Sequence, residues 1–147
     1  MIWKKNIEVQ QINNSLKNTM AEFLSIQIKE IGDNTIKAVM PVNNKTIQPF
    51  GILHGGASVV LAETIGSIAS NLCLNENYFS VGLDINANHI KSVKEKYVEG
   101  DCVGITLSEQ IFVDVGNVAS KVENPPKLMN RFEANLFWLS DEKLKIN

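Results

Sequence analysis

The sequence predicts an α+β fold in which one long helix packs against a single antiparallel sheet. Three observations carry this. Residues 57–74 (ASVVLAETIGSIASNLCL) form the one extended, strongly apolar helical stretch. Several short segments alternate apolar and polar residues with the period of a strand. The resulting order is a short helix, two strands, the long helix and then several strands.

Residues 6–19 read as a short polar helix whose sparse apolar positions are Ile7, Ile12 and Leu16. Residues 22–31 (EFLSIQIKEI) alternate as a strand, and "GDN" at 32–34 signals a turn. Residues 35–42 (TIKAVMPV) alternate again, with Ile36, Ala38 and Met40 on one face, so a hairpin is expected. A loop runs from Asn43 to Gly56. The helix at 57–74 is apolar nearly all round and is expected to be buried, wrapped by the sheet. Its small residues Ala57, Ala62, Gly66, Ser67, Ala69 and Ser70 permit close backbone approach, and Asn75 to Asn77 end it. Residues 80–88 (SVGLDINAN) alternate as a strand, 89–96 are basic, and Tyr97 to Ser108 is a further strand candidate. Residues 111–122 and 131–139 complete the set, separated by "ENPPKLMN", whose adjacent prolines exclude a central strand.

The chain has 147 residues, 44% hydrophobic and 20% charged, which suits one domain spanning 1–147 with a full core. A formal net charge of −2 supplies no basic field for nucleic acid. Cys73 and Cys102, the two cysteines, lack any metal or redox spacing and read as buried free thiols, which fits a reducing cytoplasm. The N-terminus lacks the apolar run of a signal peptide, and the apolar stretch around 57–74 is too short and polar to span a bilayer. Two histidines without paired spacing predict no metal site.

The chemistry concentrates in "QPFGILHGGASVVLAETIGS", residues 48–67. Glu63 sits among Leu61, Ala62, Ile65 and Ile68. An unpaired carboxylate buried there costs several kcal/mol unless it is protonated or partnered. Ser67, one turn on, shares its helical face and can help hold a water. His54, Gly55 and Gly56 precede the helix, where exposed N–H groups and the helix dipole favour negative charge and can polarise a carbonyl under attack. Taken alone, two glycines there make only a tight turn. The Gln48 amide either donates to the same carbonyl or solvates the loop. No nucleotide-binding P-loop spacing is present.

Together these residues resemble the hotdog-fold acyl-CoA thioesterases, and within them the PaaI-like group and the bacterial 1,4-dihydroxy-2-naphthoyl-CoA hydrolases of menaquinone biosynthesis. The resemblance rests on "MPV" (40–42), "TIQPFGILHGG" (46–56), "LAETIGS" (61–67) and "VGLDINANH" (81–89), and covers roughly residues 1–100. It implies a central helix wrapped by an antiparallel sheet and a homodimer, or dimer of dimers, with the active site between subunits. It implies hydrolysis of an acyl-CoA or aroyl-CoA thioester in which Glu63 is nucleophile or general base. Gln48 and the Gly55 N–H then polarise the carbonyl, with His54 and Ser67 positioning substrate or water. It places Gly56, Asn88, His89 and Lys91 with the coenzyme A part of the substrate. No separate cofactor is implied, and neither nucleic acid nor membrane is a partner. Lysine at 91 stands near where similar enzymes have arginine, keeping the charge without the bidentate fork.

From about residue 104 the family pattern fades, so the last third is atypical. A non-catalytic acyl-CoA-binding module, a hotdog dehydratase and an inactive homologue with a damaged C-terminus are the competing readings. The intact Gln48, His54 and Glu63, and the order of the HGG and LAE motifs, favour the hydrolase.

Overall fold

The computed structural model describes residues 2–75, 78–103, 110–117 and 130–140. Two short helices, α1 (Val9–Ser15) and α2 (Met20–Phe23), precede strands β1 (Gln27–Ile31) and β2 (Thr35–Pro41). The long helix α3 (Gly55–Leu72) follows, then β3 (Tyr78–His89), β4 (Tyr97–Val103), β5 (Gln110–Asn117) and β6 (Asn130–Ser140). The six strands form one sheet in the order β1-β2-β4-β5-β6-β3, every pairing antiparallel.

The hairpin follows its alternation: Ile36, Ala38 and Met40 are fully buried beneath α3, with Ile28 beside them. From the helix, Leu61, Ala62, Ile65 and Ala69 meet this layer. The Ile65 Cδ1 and Leu61 side chains lie directly over Gly100 of β4, where a side chain would hold the helix off the sheet. Ile12, Leu24, Val93 and Val98 extend the same core.

Expectations for β1, for the burial of the long helix and for Cys73 need correction. The strand expected from Glu22 begins only at Gln27, because residues 20–23 close a helical turn. Ser25, at φ 59°, ends that turn: its N–H donates to the Glu22 carbonyl and the Ile26 N–H to the Ala21 carbonyl. That pair of bonds is a Schellman stop, which redirects the chain into β1. The long helix is not buried all round. Its sheet-facing side is buried, while Val59, Val60, Glu63, Thr64, Ser67, Ile68 and Asn71 remain partly exposed. Finally, Cys102 is buried but Cys73, at the helix C-cap, is partly exposed; both are free thiols.

Among the described strands the sheet edges are β1 and β3. At β1 the Asn13 amide of α1 both donates to the Ile28 carbonyl (3.0 Å) and accepts from the Ile28 N–H (2.9 Å), and a bulge at Lys29 breaks the register. At the opposite edge β3 pairs, among the described strands, with β6 alone, over eleven register positions. β3 carries the same kinds of feature, an asparagine amide on the Ser80 backbone groups and a register slip after Gly82. β5 and β6 take full places in the sheet, so the atypical last third supplies two strands of the fold. The "ENPPKLMN" break up to Met129 lies outside the described residues.

Candidate active site

The loop before α3 is built around Thr46, which is 1% exposed. Its hydroxyl donates to the Pro41 carbonyl and accepts from the Asn43 N–H, both at 2.9 Å, and its own carbonyl accepts from the His54 N–H at 2.8 Å. Residues 47–53 then form a small hairpin closed by an Ile47–Leu53 bridge, with Gly51 at φ 71° in the tip. The Gln48 N–H donates to the Ile52 carbonyl, and the Gly51 N–H to the Gln48 carbonyl. This fixes the Gln48 backbone and leaves its half-buried amide facing a cleft.

The helix starts two residues earlier than its apolar pattern suggests. His54 is the N-cap, so Gly55 and Gly56 are the first helical residues. The exposed His54 ring accepts from the Gly56 N–H through Nδ1 at 2.9 Å. The His54 carbonyl accepts from the Ala57 and Ser58 N–H groups. Among the described residues the Gly55 N–H has no acceptor. One oriented donor at the positive end of an eighteen-residue helix is therefore available to a ligand.

That donor opens into a cleft of about 280 Å³ lined by Gln48, Ile52, Leu53, Gly55, Ser58, His89, Ile90, Lys91, Ser92 and Val93. His89, at the end of β3, lies against Gly55: its Nε2 and Cε1 are 2.8 and 3.0 Å from where a Cβ at 55 would stand. The basic segment after β3 is tied to the rest of the fold. Val93 is buried and its carbonyl accepts from the Leu53 N–H at 2.7 Å, and the Lys96 carbonyl accepts from the Val42 N–H at 2.8 Å. These bonds hold Lys91 at the cleft wall. Asn88 and Gly56 are exposed nearby in sequence but do not line the cleft.

Glu63 and Ser67 stand elsewhere. Eight residues of helix separate Glu63 from Gly55, about 12 Å at 1.5 Å per residue. Glu63 is half-buried rather than buried, because its face of α3 looks toward the edge strand β3 instead of the sheet centre. The Ser67 hydroxyl approaches Glu63 Oε1 at 3.5 Å. The carboxylate rests on Gly82 of β3, with its Cδ 3.0 Å from where a Cβ at 82 would lie. One turn beyond Ser67, Asn71 ties the same face to β3. Its Nδ2 donates to the Ser67 carbonyl (2.8 Å) and to the Ser80 carbonyl and hydroxyl (3.1 Å each), while its Oδ1 accepts from the Ser80 N–H (3.0 Å).

Three contacts thus register α3 against β3: Asn71 on Ser80, Glu63 on Gly82, and Gly55 on His89. The strand runs antiparallel to the helix, with the carboxylate over its first half and the open N–H over its end. Thr46, Ser58, Asn71, Ser80 and Gly82 escaped the sequence reading. The i, i+4, i+8 spacing of Glu63, Ser67 and Asn71 was visible, but not which strand that row would meet. Among the described residues no three His, Cys, Asp or Glu side chains gather as a metal site, and no helix is long and apolar enough to cross a membrane.

Burial pushes the Cys102 thiol up to about 12, helped by Cys73 and Asp101. Burial also raises Cys73, against the opposing charge of Lys4. Neither thiol is poised as a nucleophile.

Comparison with known proteins gives the family and the fold. A family model described as the thioesterase superfamily matches residues 50–106. The 1,4-dihydroxy-2-naphthoyl-CoA hydrolase of Escherichia coli is 49% identical over 110 residues, 75% of this chain and 81% of that protein. The proofreading thioesterase EntH of Cronobacter turicensis is 41% identical over 110 residues, 75% of this chain and 80% of that protein. A crystal structure of a Haemophilus influenzae thioesterase superposes with a TM-score of 0.85 at 38% identity, covering 95% of this chain and 96% of that one. The chain belongs to the thioesterase superfamily and carries its hotdog fold.

Proposed function

We propose that the chain hydrolyses an acyl-CoA or aroyl-CoA thioester at a site completed by two copies of itself, with Glu63 as nucleophile or general base. The observation that carries this reading is the open Gly55 N–H beside Gln48 in the cleft, about 12 Å along the helix from Glu63. The Gly55 N–H and the Gln48 amide stabilise the oxyanion that forms on the thioester carbonyl. Glu63 either attacks the carbonyl carbon or takes the proton of an attacking water. Collapse of the tetrahedral adduct breaks the C–S bond, and the coenzyme A thiolate departs. Water attack gives the free acid directly; attack by Glu63 gives an acyl–enzyme anhydride that one water then opens, releasing the acid and the Glu63 carboxylate. Ser67 and His54 position water and substrate, and Gly56, Asn88, His89 and Lys91 serve the coenzyme A portion. No separate cofactor is needed.

Glu63 of one chain cannot reach a carbonyl held at Gly55 of the same chain. Antiparallel pairing of β3 with the β3 of a second copy supplies the missing half, because β3 lies at an edge of the sheet among the described strands. Such a pairing sets the Gly82 end of one strand, with Glu63, beside the His89 end of the other, with Gly55. One two-fold axis then makes two equivalent sites. The E. coli relative, named for 1,4-dihydroxy-2-naphthoyl-CoA, supports that aroyl group and a role in menaquinone biosynthesis as the specific substrate and setting.

The test is thiol release from dihydroxynaphthoyl-, benzoyl-, phenylacetyl- and medium-chain acyl-CoA, with Glu63→Ala in parallel. The reading expects turnover with an aromatic substrate and a loss of about 10²–10⁴-fold in the variant. Unchanged turnover in Glu63→Ala, or tight binding of the esters with no hydrolysis by the parent, would overturn it. Oxygen-18 incorporation in a single turnover separates direct attack by Glu63 from attack by water.

A further inference from the structure

We propose that Gly82 is a positioning residue for the Glu63 carboxylate, and that the absence of a side chain there sets where the carboxylate can stand. This inference rests on the catalytic reading of Glu63 given above.

The contact is direct. Around the point where a Cβ at 82 would lie, the Glu63 Cδ is at 3.0 Å, Oε2 at 3.3 Å and Oε1 closer still. These are the three nearest heavy atoms, and all belong to the end of one flexible side chain. The backbone does not itself demand glycine. Among the described glycines only Gly51 has a positive φ, so Gly82 occupies a conformation open to any L-residue. What excludes a side chain is the carboxylate.

Two further features hold this strand segment in place. The Asn71 amide takes both backbone groups of Ser80, two residues before Gly82, and so locks β3 to the helix that carries Glu63. Immediately after Gly82, the pairing with β6 slips: Gly82 faces Leu136 and Asp84 faces Asn135, leaving Leu83 as a bulge. Bulges bend and re-aim a strand locally. Here the bulge lies where the strand passes under the carboxylate. Because alanine at 82 would meet only the tip of a movable side chain, the fold can absorb it by displacing Glu63. The sheet itself need not move. The effect therefore falls on the carboxylate's position, by about 1 Å, which is enough to lower a rate by about 10²-fold.

The experiment is a double-mutant cycle of Gly82→Ala with Glu63→Ala, using benzoyl-CoA thiol release and thermal unfolding. The expected result is a kcat for Gly82→Ala reduced by about 10²-fold, with KM and unfolding midpoint near those of the parent. In the Glu63→Ala background Gly82→Ala should then remove nothing further from the residual rate. Should Gly82→Ala fail to fold, recovery of folding in the double variant would support the same carboxylate contact, and a double variant that also fails would overturn it. A kcat within twofold of the parent, or an equal loss with and without Glu63, would equally overturn the assignment. Full activity in Glu63→Ala alone would instead remove the catalytic reading beneath it.

Discussion

Replacing Asn71 by leucine removes the bonds that fasten the edge strand to the helix while keeping a side chain of similar size. The Asn71 amide pairs the Ser80 N–H at 3.0 Å and the Ser80 carbonyl at 3.1 Å, and Ser80 is only 5% exposed. Each buried backbone group left without a partner costs about 1–3 kcal/mol. Asn71 is itself half-buried, so water recovers part of that loss, and the leucine methyls add some apolar burial. The net destabilisation is therefore about 2 kcal/mol. Urea unfolding followed by tryptophan fluorescence, at one fixed protein concentration, reads it. With a slope of about 2 kcal/mol/M, the midpoint falls by about 1 M. Asn71→Asp keeps the acceptor for the Ser80 N–H but loses the donor, and should fall between leucine and the parent. A midpoint for Asn71→Leu within about 0.2 M of the parent would refute the claim that this amide anchors β3.

Three further predictions concern titrating groups. Burial first, then Asp101, pushes the Glu99 carboxyl up, while Lys37 opposes this and Glu30 adds to it. A carboxyl raised in the folded state favours folding below its ordinary range and opposes it above. Glu99→Gln should therefore raise the thermal midpoint slightly at pH 7 and leave it unchanged below about pH 4; a lower midpoint at pH 7 would contradict the sign. Cys102, raised to about 12 by burial, should stay unlabelled by iodoacetamide at pH 8 until the protein unfolds, with the half-exposed Cys73 labelled first. Stability should also decline above about pH 9, where the unfolded thiol ionises before the folded one. Mass spectrometry showing Cys102 modified as fast as Cys73 would contradict the burial argument.

Elements whose pattern is local were legible in the sequence. Ile36, Ala38 and Met40 announced β2 because alternation and burial coincide there. The long helix and the HGG turn were legible for the same reason, since composition alone marks both. Residues 22–24 read as strand because Leu24 falls in step with Ile26 and Ile28, whereas Ala21 and Leu24 are buried at helical spacing and Ser25 stops the turn. Glu63 was read as buried because its helix neighbours are apolar. Its exposure depends on which strand its face meets, and that strand is an edge. The same dependence hid Asn71, Ser80 and Gly82, whose meaning lies in the register of β3 against α3. The sequence also grouped Gly55 and Glu63 as one constellation, while the helix holds them two turns apart on the same chain.

That separation makes the shared site the central claim, and subunit complementation tests it most directly. Glu63→Ala and Gln48→Ala chains, each expected to be strongly impaired alone, are unfolded together in equal amounts and refolded. If Glu63 of one protomer serves Gln48 and Gly55 of its partner, random pairing gives half mixed dimers, each with one intact site. Activity should then return to about a quarter of the parent's. A mixture no more active than its two components would place each site within one chain and contradict the account.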